Sequence, residues 1–340
     1  MAVINFDVSG LTPYVEQNRD VILKDILRGG DIIPKMRLQT GIKTTELIHL
    51  LDVNPVFQDG TSCGFDPSSE ATITERAIET GIIDVELAVC AKTLLGTFGE
   101  YLVKIQAGAE NRPFEQYLID GIVGGINKKL NKAIWQGDKN SLDGDLNKFD
   151  GLLAIAGNDS DVLTESISAG ASAYAGLLQV AMSIPEEAVE RGAYINVSPA
   201  IFNAFMQDLV SANIYHVNPA DGIIGEMPIP GTNIRVRKAA GLTGSLDVLA
   251  TYDDNLYFGT DLEGSREYVL SEYKRLEGMF CLKAEFNAGV NYAWSDQVVL
   301  GTFAATPVAM ASVNGTLASI ADNTAALADD DHIYKTKEQA

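Results

Sequence analysis

An α+β fold organised round one long helix is what this sequence predicts, on three observations. Residues 113–137 (PFEQYLIDGIVGGINKKLNKAIWQG) carry an unbroken helical pattern. Residues 44–89 read as two extended runs either side of a turn-rich tip. Residues 171–303 alternate helices with short strands and close on a series of strands. The 340 residues suffice for one large domain or two to three subdomains, and 46% hydrophobic residues supply a sizeable core.

In the long helix Pro113 suits the first turn, Glu115 and Asp120 sit toward the positive end, and Lys128, Lys129 and Lys132 crowd the negative end. Gly137 is the expected stop. At about 1.5 Å per residue the rod is about 36 Å long, enough to brace a domain. Phe114, Leu118, Ile122, Ile126, Leu130 and Ile134 form an i,i+4 row that Tyr117, Ile119 and Val123 widen. Gly121, Gly124 and Gly125 each cost a helix about 1 kcal/mol against alanine. Two explanations fit them: a second backbone crossing close by, or a bend in the rod.

Ahead of the helix, residues 1–45 read as an arm. A short amphipathic helix at 16–28 places Val21, Ile22, Ile26 and Leu27 on one side and ends at Gly29 and Gly30, among the punctuating Pro13, Pro34 and Gly41. Residues 44–57 are apolar enough for a strand, and 59–69 (DGTSCGFDPSS) are dense in turn formers. Across 71–89, Ile83, Val85, Leu87 and Val89 alternate with Asp84, Glu86 and Ala88 at a period of two. Joined through the tip, these runs make a long hairpin with few residues to cover its edges, which points to an arm between subunits; an ordinary internal hairpin is the alternative.

Residues 91–106 lead as a short segment into the long helix. Beyond it, the loop 137–153 gathers Asp138, Asp143, Asp145 and Asp150 with Gly144 and Gly151. It lacks both the D-x-D-x-D-G order and the twelfth-position Glu of an EF-hand, so it reads as a solvated turn. A second helix spans 171–184, closed by Pro185, and 194–197 is a short strand. Ser198 caps a third helix, with Pro199 at its first position and Phe202, Phe205, Met206, Leu209 and Val210 as its buried stripe. Residues 213–231 form a three-proline loop of a length usually spent on function or an interface. Strands are expected at 234–237, 248–252, 268–272, 279–293 and 298–303, and from 304 the sequence turns into an Ala-, Thr-, Asn- and Asp-rich tail.

The formal net charge of −21 argues against a protein that coats nucleic acid generally, while leaving room for a local positive face. No apolar run reaches the eighteen or so residues of a membrane helix, and the N-terminus lacks a signal-peptide pattern, so folding in the cytoplasm is expected. Cys63, Cys90 and Cys281 are scattered and odd in number, which suits reduced thiols. His49, His216 and His332 stand in no metal-ligand spacing. There is no G-x-S-x-G, P-loop or H-E-x-x-H, and no G-x-G-x-x-G between a strand and a helix. The expectation is therefore a non-enzyme with no catalytic, cofactor-binding or metal residues.

Three passages carry a family resemblance. The long helix ends in LNKAIWQGD (130–138) and leads into FDGLL (149–153); AYINVSPAIFNAF (193–205) is followed by MPIPGTNIRVRKAAGL (227–242); the ordered chain closes on AEFNAGVNYAWSDQVVLGTF (284–303). In that order and spacing they resemble the spine helix, axial domain and closing peripheral strands of the major capsid protein of tailed double-stranded-DNA phages, the Hong Kong 97-type fold. The likeness covers residues 10–303. It implies an N-terminal arm at 1–45, an extended β-hairpin loop at 46–92, and a peripheral domain at 93–165 with its spine helix at 113–136. It further implies an axial domain at 166–265, returning peripheral strands at 266–303 and a C-terminal tail at 304–340.

The function so implied is self-assembly, through hexamers and pentamers, into the icosahedral shell of a virion. Expected partners are other copies of the chain, packaged double-stranded DNA held non-specifically, and scaffold, portal and decoration proteins, with no membrane; synthesis is expected in the bacterial cytoplasm. Ile83, Val85 and Leu87 become candidates for packing on a neighbour's spine helix, internal burial being the alternative. Lys128, Lys129 and Lys132 become candidates for facing packaged DNA, although the helix dipole explains them equally well. The cleaved scaffolding segment that precedes the arm in some members is missing, which implies a matured chain or a separate scaffold, and no residue pair marks an isopeptide cross-link. An encapsulin-like nanocompartment, which shares the fold, and a soluble α/β enzyme are the other functions weighed.

Overall fold

The computed structural model describes residues 11–54, 56–57, 70–106, 113–212, 225–261, 268–274, 277–305 and 307. In chain order its elements are α1 (Leu11–Arg28), β1 (Arg37–Gln39), β2 (Thr45–Asn54), β3 (Glu70–Glu79), β4 (Gly81–Cys90), α2 (Ala91–Gln106), α3 (Phe114–Gln136), α4 (Leu152–Asn158), β5 (Leu163–Ile167), α5 (Ala173–Met182), α6 (Glu186–Glu190), β6 (Tyr194–Val197) and α7 (Pro199–Ser211). Then follow β7 (Glu226–Pro228), β8 (Arg235–Lys238), β9 (Asp247–Thr251), β10 (Leu256–Gly259), β11 (Tyr268–Lys274), β12 (Met279–Tyr292) and β13 (Val299–Phe303). They fall into two units, one within Met1–Asn158 and Asp253–Trp294, the other within Asp159–Tyr252 and Ser295–Ala340. Cys63, His216, His332, most of the loop at 213–231 and nearly all of the tail lie outside the described residues.

The first unit is built on β12, fourteen residues long, in a sheet of order β1-β10-β12-β11 with β4 also paired to β12. The long helix expected from sequence is α3, opened by Pro113 and closed by Gly137. Gly137 has φ −59°, an angle open to any residue, so a left-handed stop is not why it is glycine. A Cβ there would stand 2.5 Å from the Ala133 carbonyl oxygen and 2.6 Å from that of Phe149, and one on Gly151 would stand 2.7 Å from Gly137 N. The Gly151 N–H donates to the Gly137 carbonyl at 2.9 Å. Two bare backbones thus touch where the helix ends, which explains the Gly-Asp and Gly-Leu steps of the sequence.

Three expectations need correcting here. The run at 71–89 is two strands, because the residues facing inward change parity: Arg76 and Ile78 in β3, but Ile83, Val85 and Leu87 in β4. Among the described residues β3 pairs only with β2, from Thr45 opposite Glu79 to Asn54 opposite Glu70, whereas β4 pairs with β12. The three apolar residues assigned to the hairpin therefore lie in the sheet. Secondly, α1 begins at Leu11 and takes Pro13 into its first turn, where a missing N–H costs nothing. It packs on β11 and α3 through Leu11, Val15, Ile22, Ile26 and Leu27, and Val21 points to solvent. Thirdly, the expected apolar row of α3 is only partly the buried one: Ile119, Val123, Ile126, Leu130 and Ile134 are buried, while Leu118 and Ile122 stay half-exposed.

The second unit has a six-stranded sheet of order β5-β13-β9-β6-β8-β7. Parallel pairs β5/β13 and β6/β8 are combined with antiparallel neighbours. Ser198 accepts a hydrogen bond from Ile201 N and Ser172 one from Ala175 N, capping α7 and α5. Their apolar faces bury Leu177, Val180, Ile201, Phe205 and Leu209 against Ile195, Val236, Val248 and Phe303 of the sheet.

Candidate assembly surfaces

Three surfaces of the first unit are candidates for contact. The first is the ribbon of β2 and β3. Its base is fixed where Gly259 of β10 faces Gly289 of β12 in register. A Cβ on Gly289 would stand 2.3 Å from the Glu79 carbonyl oxygen, and one on Gly259 2.7 Å from Ile42. Ile42, Ile48 and Ile78 bury a small core there. Arg76 clamps the same end, its guanidinium 4.2 Å from the Tyr292 ring centre and donating to Asn291 Oδ1, while Asn291 Nδ2 donates to the Ala77 carbonyl. Away from that anchor the described part of the ribbon is bare: Leu51 is 60% and Ile73 67% exposed, directly opposite each other, with Leu47 on the same face and the cross-strand pair His49 and Glu75, Nδ1 to Oε1 3.2 Å, between them. Exposed apolar side chains across paired strands are not what a lone subunit requires.

The second surface is a groove of about 1030 Å³ lined by Ile83, Val85 and Leu87 of β4 and by Leu118, Gly121, Ile122 and Gly125 of α3. Sequence reasoning singled out the first three but put them on the wrong element. A Cβ on Gly121, Gly124 or Gly125 would meet nothing within 4 Å, so no backbone of this chain crosses there among the described residues. On the outer face of β4, Lys283 donates to Asp84 at 2.7 Å and Glu86 at 2.8 Å, and these two hydrogen bonds hold its ammonium above the ordinary lysine range. Below the groove Lys139 donates to Glu79 and lies 3.3 Å from Asp150; it too is raised, chiefly by the Glu79 bond.

The third is the end of α3. Lys128 and Lys132, one turn apart, are exposed, whereas Lys129 is 2.8 Å from Asp145. The loop after α3 turns its carboxylates on itself: Asp138 accepts from Asn140 N, Asp143 from Asp145 N and Asp150 from Lys139 N. Among the described residues no group of three or more His, Cys, Asp or Glu is placed to hold a metal, and no helix is long and apolar enough to cross a membrane.

Neither a protein-family description nor any curated protein matches the sequence. Solved structures do match. The procapsid of satellite phage P4, with its size determination (Sid) protein, superposes with a TM-score of 0.57 at 11% identity, covering 83% of this chain and 98% of that one. The capsid of an empty GTA particle gives 0.51 at 11% identity, over 90% and 94% of the two chains. A structure from Gordonia phage Cozz gives 0.51 at 13%, over 81% and 86%. At such identities the likeness is one of architecture, and it covers 81–90% of this chain: the chain has the α+β fold of phage capsids.

Proposed function

We propose that this chain is the major capsid protein of a tailed phage, assembling through hexamers and pentamers into the icosahedral shell round a double-stranded DNA genome. The observation that carries this is the fold shared with the phage P4 procapsid over nearly the whole of that chain. Two features support it: a ribbon whose far end is apolar and exposed, and a groove left unfilled. Contacts of the standard kind bury about 1,600 Å² each, and several weak ones per subunit add through multivalency. In this reading the ribbon and the N-terminal arm reach other copies, and Ile83, Val85 and Leu87 line a surface that a neighbour covers. Lys128 and Lys132, with Lys129 held by Asp145, face the interior and the packaged DNA. The role is structural and not enzymatic, its place is the virion, and scaffold, portal and decoration proteins are its further partners.

Purified full-length protein tests this by light scattering and negative-stain electron microscopy. Closed particles with nuclease-resistant DNA in infected-cell preparations are expected. A species that stays a monomer or small oligomer under all assembly conditions overturns the proposal, and particles that enclose protein in place of DNA overturn its genome half.

A further inference from the structure

We infer that Cys90, Met279 and Cys281 form a binding site for a soft monovalent cation of the copper(I) class, at one end of the sheet in the first unit. The inference goes beyond the shell-forming reading and does not depend on it. The two cysteines are far apart in the sequence, and the β4/β12 ladder brings them together. Cys90, the last residue of β4, stands directly opposite Met279, the first of β12, and Cys281 stands opposite Ala88. Side chains alternate along a strand, so these positions share one face of the sheet, the face that carries Asp84, Glu86 and Lys283. Phe280 and Leu282 turn to the other face and are buried. Both thiols are free, with Cys90 exposed and Cys281 half-exposed, and Met279 is half-exposed beside them.

The register sets the spacing of the three sulfurs. Residues directly opposite in an antiparallel pair have Cβ atoms about 4.5–5.5 Å apart, and diagonal ones somewhat under about 7–8 Å. Cys90 and Cys281 are diagonal neighbours, whereas a disulfide needs Cβ atoms about 3.5–4.5 Å apart. The two thiols are thus too far apart to bond each other, and an ion between them, adding two metal–sulfur bonds of about 2.3 Å, fits the gap. Met279, unbranched and adaptable, brings its thioether to the same point from its place directly across from Cys90. Diagonal groups already meet on this face: Lys283 bonds both Glu86, its direct neighbour, and Asp84, its diagonal one.

The donor set selects the metal. Two thiolates and a thioether are soft ligands of the kind copper(I) prefers, whereas magnesium, calcium and manganese take oxygen donors. Glu272 of β11 stands opposite Cys281 on the far side of β12. Among the described residues, however, no three of His, Cys, Asp and Glu are placed to hold a metal, so Glu272 does not complete a zinc-type set and the third donor is sulfur. Lys274, opposite Met279, and the N-terminal end of α2, which starts at Ala91, put positive charge beside a site that two thiolates and one monovalent cation leave negative. Binding releases the two thiol protons and changes no oxidation state, so affinity rises with pH. The bound ion ties the junction of β4 and α2 to the start of β12.

The test uses the full-length chain with Cys63→Ser, so that Cys90 and Cys281 are its only thiols. The reduced protein is titrated without oxygen with copper(I) against bicinchoninate, a competing chelator, and the loaded protein is measured by copper X-ray absorption. One ion per chain with three sulfur neighbours is expected. Adding Cys90→Ser or Cys281→Ser should weaken binding about a hundredfold, and Met279→Leu, which keeps the volume, about tenfold, with two sulfur neighbours left. Binding unchanged by Cys90→Ser, or oxygen or nitrogen neighbours in place of sulfur, overturns the site. Zinc(II) held more tightly than copper(I) overturns the assignment of the metal. Should Cys281→Ser fail to fold by circular dichroism, Cys90→Ser, at an exposed position, and Met279→Leu decide the matter by the same two measurements. Shell formation is not a readout here, so a failed site leaves the shell reading standing.

Discussion

Glycine serves opposite ends in the two units. A Cβ on Gly176 of α5 would stand 2.6 Å from Phe303 Cε1 and 2.9 Å from Ile167 Cγ2, so Gly176→Ala overpacks a filled core and should cost about 1–3 kcal/mol by denaturant titration. Gly121→Ala and Gly125→Ala meet open space and gain helix propensity, so each should stabilise the subunit by about 1 kcal/mol in the same titration. The sign differs because one helix face is covered and the other is not. If the open face is used in assembly, the stabilised variants should assemble less well. Charge is handled as locally as volume. Ser183 Oγ donates to Glu165 at 2.6 Å and Gln179 Nε2 at 2.8 Å, which lowers the Glu165 pKa below its ordinary 4.5. A carboxylate lowered in the fold adds stability that is fully present above 4.5 and is lost as pH falls through the folded value. Ser183→Ala should therefore raise the Glu165 pKa toward 4.5 in an NMR titration and move acid unfolding to higher pH.

Helices with strong periodicity and caps were legible in the sequence, and elements whose partners are distant were not. Pro113, the spacing of apolar residues and Gly137 bound α3 correctly, and Ser198 with Pro199 fixes the start of α7. The period-two pattern at 71–89 shows extended chain but carries no information on which strand pairs with it. The clue was the shift in inward parity between Ile78 and Ile83, which needs a partner on each side to interpret. Gly259 and Gly289, which seat the ribbon, lie thirty residues apart in sequence and meet only through β10/β12 pairing. Of the candidate site, Ile83, Val85 and Leu87 and the glycines of α3 were each singled out, but not that Gly121 and Gly125 face the three across a groove, since a helical glycine looks the same whether it meets a neighbour or open space. The placement of Val85 sharpens a prediction. Its side chain enters the groove from a strand fully paired to β12, so Val85→Asp adds a charge where water already reaches. Circular dichroism and thermal melting should report a folded subunit, while electron microscopy should show no closed particles.

At the scale of the molecule the governing quantity is charge. Each subunit carries a formal −21, so bringing many together works against their mutual repulsion, and apolar contact has to outweigh it. The exposed apolar residues of the ribbon and groove are uncharged, and cations beside them are already engaged by carboxylates of the same chain, as with Lys283 between Asp84 and Glu86 and Lys129 with Asp145. Salt should then act mainly on the long-range repulsion and little on the contacts themselves. The screening length falls from about 10 Å at 0.1 M to about 3 Å at 1 M, short of the distance between subunit centres in any shell. Assembly followed by light scattering should start at lower protein concentration as sodium chloride rises over that range, and level off once screening is complete. Leu51→Lys and Ile73→Lys should reverse the balance locally: they lessen the net negative charge yet place a cation in the apolar face, so assembly should weaken at every salt concentration even though repulsion has fallen. An improvement with these two variants would mean that charge alone limits association and that the ribbon's apolar face does not take part.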